Sequence, residues 1–134
     1  MRVGVLADIH GNLPALDAVL EDVRQQGADA VVVLGDLADR GPYPTQVLER
    51  VQQAARAVIL GNTDAMLLRL ARGDAPVAWF EHAQFAPLRW TYERLVSGIR
   101  SVTNRSIRSD ADSGGTSSRT TKTDESLIGR PVAR

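Results

Sequence analysis

The chain has 134 residues, room for one ordinary domain, and its 43% hydrophobic content with 16 basic residues against 16 acidic ones places it among globular, water-soluble sequences. A formal net charge of zero gives no reason to expect polyanion binding, and a cysteine count of zero excludes a disulfide framework, a thiolate metal site and a cysteine nucleophile. Any metal must then be held by oxygen and imidazole.

The chain opens with Met1-Arg2-Val3-Gly4-Val5-Leu6-Ala7-Asp8, an apolar run far too short for a signal peptide or a membrane span, so the cytoplasm is the expected location and no membrane partner is expected. Arg2 to Ala7 reads as a strand. Asp8-Ile9-His10-Gly11-Asn12 is the turn leaving it, because Gly-Asn breaks the run and Asn12 is a good helix N-cap. Pro14 suits the first turn of the helix that follows. Leu13, Leu16, Val19, Leu20 and Val23 recur at spacings of three and four, which makes one apolar stripe, and Gly27 ends it.

The pattern then repeats. Ala30 to Leu34 is a second strand, closing on Gly35-Asp36, and its β-branched content reads as a buried parallel strand that delivers a carboxylate to the sheet edge. Val47, Leu48 and Val51 with Ala54 or Ala55 mark a second helix. Arg56 to Leu60 is a third strand, closing on Gly61-Asn62-Thr63-Asp64, and Met66, Leu67, Leu70 and Ala71 predict a third helix stopped by Gly73. Strands alternating with helices imply βαβ crossovers and a parallel sheet, so the fold class is α/β. In such a sheet Asp8, His10, Asp36 and Asn62 all emerge at the same carboxyl edge, where open α/β sheets bind ligands, and each turn leads into a helix whose first amides favour an anion. Carboxylates with one imidazole and one amide oxygen suit Mn, Fe, Zn or Mg more than Cu.

Beyond Gly73, the residues Trp79, Phe80, Phe85, Leu88, Trp90, Tyr92 and Leu95 read as a helix or helix pair packed on the sheet. No basic patch accompanies these aromatics, so there is no nucleic-acid signal. His82 lies among them and reads as a packing or surface residue. Residues 1–96 carry 9 Arg, no Lys and all six aromatic side chains, whereas residues 97–134 hold 13 Ser or Thr and the only lysine, Lys122. The expected division is therefore a patterned domain over 1–96 and a low-complexity, disordered tail over 97–134.

Three motifs, Asp8-x-His10, Gly35-Asp36-x-x-Asp39-Arg40-Gly41 and Gly61-Asn62-x-Asp64, resemble in order and spacing those that open the calcineurin-like metallophosphoesterases. Any one would be weak; three in order, each at an expected strand end, are specific. The resemblance implies hydrolysis of a phosphate ester by a metal-activated hydroxide, with two divalent ions, commonly manganese. Asp8 and His10 would hold the first ion, Asp36 would bridge the two, and Asn62 would hold the second while reaching a phosphate oxygen. Arg40 would clamp the phosphate. Asp39 and Asp64 would support the catalytic groups. Two departures stand beside these matches. Thr63 occupies the place where many relatives have a proton-donating His, and Thr does no acid chemistry near neutral pH. The family's later His ligands, typically in a G-H-x-H motif, have no counterpart here, so one ion or none is a possible outcome. The chain is expected to form a truncated βαβαβα half of a two-sheet sandwich, and the exposed face of its sheet to drive self-association.

Overall fold

The computed structural model describes residues 1–97. All of the expected tail except Ser97 lies outside them. The described chain is α/β: strands β1 (Val3–Leu6), β2 (Ala30–Val33) and β3 (Ala57–Val58) form one sheet in the order β1-β2-β3. Both pairings are parallel, with Leu6 opposite Val33 and Val33 opposite Val58. The third strand is shorter than the expected Arg56 to Leu60. Its backbone still bonds on either side, Arg56 N–H to Val31 O and Ile59 N–H to Val33 O, both at 2.8 Å. Past Ile59 the chain leaves the ladder for the Gly61 junction, where α3 begins.

Helix α1 (Leu13–Gln25) starts as expected: Asn12 Oδ1 accepts from Ala15 N–H at 3.2 Å and Pro14 lies in the first turn. Helix α2 (Pro44–Ala54) begins on a proline, and α3 (Asn62–Arg72) ends at Gly73, which takes the left-handed conformation at φ 75°. The α1 and α2 helices are tied by Arg50 Nε, which donates to Asp17 Oδ1 at 2.6 Å.

One face of the sheet is covered. Gly4 sits there because α1 comes close: a Cβ on Gly4 would meet Val23 Cγ1. Leu6 and Val33 on that face are buried with Leu16 and Leu20 of α1, Val47 and Val51 of α2, and Leu67 and Leu70 of α3. Among the described residues no helix covers the opposite face: Val3, Val5, Leu34 and Ile59 are 41%, 60%, 44% and 57% exposed. Parallel sheets ordinarily have both faces covered, so this one has half of its expected packing.

The aromatic segment is broken into a short helix α4 (Ala78–Glu81), a 3-10 turn (Ala83–Phe85) and a helix, α5, over 86–97. Trp79 and Phe85 stack at 5.6 Å between ring centroids, and Leu88 enters the core. Phe80 and Trp90, expected among the packing residues, are instead well exposed. Arg94 lies over the Trp90 ring at 5.0 Å, so that ring is covered by a cation rather than by the sheet. His82 is exposed, as expected of a surface residue, and its backbone carbonyl accepts from Arg89 Nη1. Among the described residues no helix is long and apolar enough to cross a membrane.

Leu16, 3% exposed, is held between the sheet and α1's neighbours. Leu16→Ala is expected to lower the unfolding free energy by about 2–5 kcal/mol, read from urea denaturation.

Candidate metal and phosphate site

Because the three strands run in one direction, the turns after β1, β2 and β3 meet at a single edge. The first two are zipped together by backbone bonds: His10 N–H donates to Asp36 O at 2.8 Å, Gly11 N–H to Leu37 O at 2.7 Å, and Tyr43 N–H to Gly11 O at 3.1 Å. The third is fastened to the second by Asp64. Its carboxylate accepts from Asp36 N–H at 2.8 Å, Leu37 N–H at 3.0 Å and Gly61 N–H at 3.1 Å. A buried acceptor facing three amides fixes the Asp36 turn, since each of those donors would otherwise be left without a partner.

Glycines are required where these turns touch. A Cβ on Gly35 would strike the Gly61 backbone, and one on Gly61 would strike the backbone and carboxylate of Asp36. Gly35 also stands at φ 85°. The Gly35-Asp36 and Gly61-Asn62 pairs therefore serve close backbone approach as much as turning.

The expected ligands converge. His10 Nε2 lies 3.6 Å from Asp8 Oδ1 and 3.8 Å from Asp36 Oδ2. One ligand atom from each of Asp8, His10 and Asp36 lies within 4.8 Å of the others. The side chains grade from open to covered: Asp8 is 73% exposed, His10 25% and Asp36 14%. Asp36 Oδ1 accepts from Thr63 N–H at 3.1 Å, which leaves Oδ2 on the side of His10. His10 Nδ1 is buried with no hydrogen-bond partner among the described residues.

Asn62 is the exposed first residue of α3, one position before the amide that reaches Asp36. Arg40 is 67% exposed and lines an open cleft of about 500 Å³ together with Asp8, His10, Asn12, Pro14 and Tyr43. Asp39 is 4% exposed, contacting Arg40 Nε at 3.4 Å and accepting from the Thr91 hydroxyl at 3.4 Å. Asp64 acts on the backbone, as a group supporting the Asp36 turn. His82 is not part of the cluster.

The backbone marks the same residues independently. Among the described residues the non-glycine positions with left-handed φ are Asp8 (54°), His10 (48°), Asp36 (54°) and Arg40 (77°). Each such residue costs about 1–3 kcal/mol and survives only where the surroundings over-determine it, a pattern concentrated at functional sites. Two aspartates and an imidazole offering oxygen and nitrogen at one point form a donor set that fits a divalent cation of the hard or borderline kind.

The family model for calcineurin-like phosphoesterase matches residues 1–129. The chain belongs to the calcineurin-like phosphoesterase family. It is similar to the phosphodiesterase YfcE of Escherichia coli, with 40% identity over 75 residues, covering 48% of this chain and 41% of that protein. It is also similar to the symmetrical bis(5'-nucleosyl)-tetraphosphatase of Thioalkalivibrio sulfidiphilus, with 37% identity over 76 residues, covering 54% of this chain and 28% of the relative. Among solved structures it matches a metallophosphoesterase from Sphaerobacter thermophilus with a TM-score of 0.54 and 28% identity, covering 70% of this chain and 36% of that one. The chain thus spans well under half the length of each of these relatives.

Two groups at the site escaped the sequence reading. Tyr43, the residue before α2, walls the cleft beside Arg40. Thr91, wholly buried, meets Asp39 from 52 positions away. The available signal for Thr91 was its place on an apolar stripe with Leu88, Tyr92 and Leu95, where a hydroxyl needs a partner.

Strain at the exposed, expected ligand Asp8 lets folding be separated from metal binding. Asp8→Gly is expected to raise stability by up to about 1 kcal/mol, because glycine adopts positive φ without penalty. The same variant should lose manganese affinity, and the two effects are read by urea denaturation and by metal titration.

Proposed function

We propose that this chain carries the first half of a metal-dependent phosphoesterase site and that the site acts on phosphate esters. The single observation that supports this most is the meeting of Asp8, His10 and Asp36, from two adjacent strand ends, within 4.8 Å and at strained backbone positions. Asp8 and His10 would hold one divalent ion, Asp36 would be shared with a second, and Asn62 would serve that second ion and a phosphate oxygen. A divalent ion there supplies positive charge against the phosphate and acidifies water.

The chain's own groups do the rest. Arg40, opposite Asp8 and His10 in the same cleft, offers a planar fork of donors to a phosphate. Asp64 holds the Asp36 turn rigid, so the ligand does not have to be ordered when the substrate arrives. Thr63 gives its amide to Asp36 and has no proton to lend the leaving oxygen near neutral pH. Leaving groups that depart as weakly basic anions are therefore favoured. The names of the relatives, a phosphodiesterase and a dinucleoside tetraphosphatase, favour diesters and phosphoanhydrides as the substrate class.

With manganese, p-nitrophenyl phosphate and its bis ester are expected to be hydrolysed. Asp36→Asn, which takes a negative charge out of the ion-binding cluster, should reduce the rate by about two to three orders of magnitude, the scale for losing one preorganised electrostatic element of a site. Arg40→Ala should raise KM about 10–100-fold, the worth of charge-assisted hydrogen bonds. Turnover insensitive to Asp36→Asn would rule out this site as its source.

A second reading is favoured by the length comparison: a catalytically incomplete unit that only binds a divalent metal or phosphate. It predicts manganese binding sensitive to Asp8→Asn with no hydrolysis of either ester.

Self-association belongs to the same proposal, because Val3, Val5, Leu34 and Ile59 leave a sheet face uncovered. Sedimentation should reveal species larger than a monomer that disappear in Val5→Glu. A monomer at every concentration would sink the idea.

A further inference from the structure

We infer that Thr91 is a positioning residue for Arg40, acting through the buried carboxylate of Asp39, so that α5 sets the phosphate-binding geometry of the site. The inference rests on the reading of Arg40 as the phosphate group.

The contacts form a chain of three. Thr91 is 0% exposed and its hydroxyl donates to Asp39 Oδ1 at 3.4 Å. The other oxygen, Oδ2, lies 3.4 Å from Arg40 Nε. Asp39 is itself 4% exposed, so water is a poor substitute for either partner. A buried carboxylate is costly unless its oxygens meet partners, and here a hydroxyl hydrogen-bonds one oxygen while the guanidinium forms an ion pair with the other.

The asymmetry of Arg40 gives this chain its use. One end of the guanidinium, Nε, is beside the buried carboxylate, while the side chain as a whole is 67% exposed and lines the cleft with Asp8 and His10. An arginine tethered through Nε keeps both terminal amino groups for a bidentate contact with an oxyanion. An untethered one must lose its rotamer freedom when the phosphate binds. The Thr91 hydroxyl limits how the Asp39 carboxylate can turn, and so which direction the tether pulls. Thr91 is not among the residues lining the cleft, and the bonds that fix Asp36 come from Asp64 and Thr63, on a different element.

The test uses the full chain, inorganic phosphate and manganese. In the unmodified protein the Arg40 Nε–H resonance should exchange with water more slowly than that of free arginine, and Arg40→Lys assigns it. Thr91→Val, which replaces the hydroxyl by a methyl group, should weaken inorganic phosphate binding by about 3–10-fold, the worth of one hydrogen bond, and speed that exchange. Thr91→Ser should restore both. Manganese affinity should be the same in all three, which a general loss of structure would not allow.

Unchanged phosphate affinity and exchange in a folded Thr91→Val protein would overturn the inference and leave the phosphate role of Arg40 standing. If Arg40→Ala also leaves phosphate affinity unchanged, that role falls and the inference with it. Should Thr91→Val fail to fold, fast Nε–H exchange in the unmodified protein is by itself sufficient to reject the tether.

Discussion

Everything at the site depends on three strands sharing one direction and on the Asp64 carboxylate that holds two of their ends together. Common direction brings the turns after β1, β2 and β3 to one edge, but turns at one edge can still move independently. Asp64 prevents this for the second and third: three amides, from Asp36, Leu37 and Gly61, point at one buried side chain. The backbone bonds from His10 and Gly11 then fix the first turn against the second. The ligand atoms are thus placed by main-chain bonding, and the exposed ends of Asp8 and Arg40 sit on a frame that does not rely on them.

That frame also explains why the strain is tolerated. Left-handed φ at Asp8, His10, Asp36 and Arg40 opposes folding, and the hydrogen bonds that converge on these turns offset it. The core beneath supplies the remainder, with Val33, Val47 and Leu16 packed on the covered face. Strain at these four positions therefore opposes the packing that holds them, a cost concentrated on the candidate site.

The uncovered face follows from the same architecture. Helices α1, α2 and α3 share one core with the sheet, and Val5 and Ile59 remain on the far side, more than half exposed. The longer relatives share their similarity with this chain over 28–41% of their own length. Among the described residues that face meets no second layer, and parallel sheets ordinarily have both faces covered.

The order of strands and helices, the Asn12 cap, the Gly73 stop, and the identity of Asp8, His10, Asp36 and Asn62 as strand-end groups were all legible from periodicity and punctuation, because these are local properties of the chain. Family membership was legible too, since the motif spacing is linear. The short third strand was less so, because how far a ladder runs depends on the partner's bend as well as on propensity. The exposure of Phe80 and Trp90 went unforeseen: a helix pair can present an aromatic to the core or to an arginine, and periodicity alone does not choose. Which oxygens of Asp36 face His10, that Asp64 bonds amides rather than substrate, and that Thr91 closes on Asp39 were decided only by tertiary structure. Those are contacts between groups 26 to 52 residues apart, and their geometry is set by how the layers pack. A linear pattern names the groups that a fold brings to one edge, and only packing decides which atom meets which.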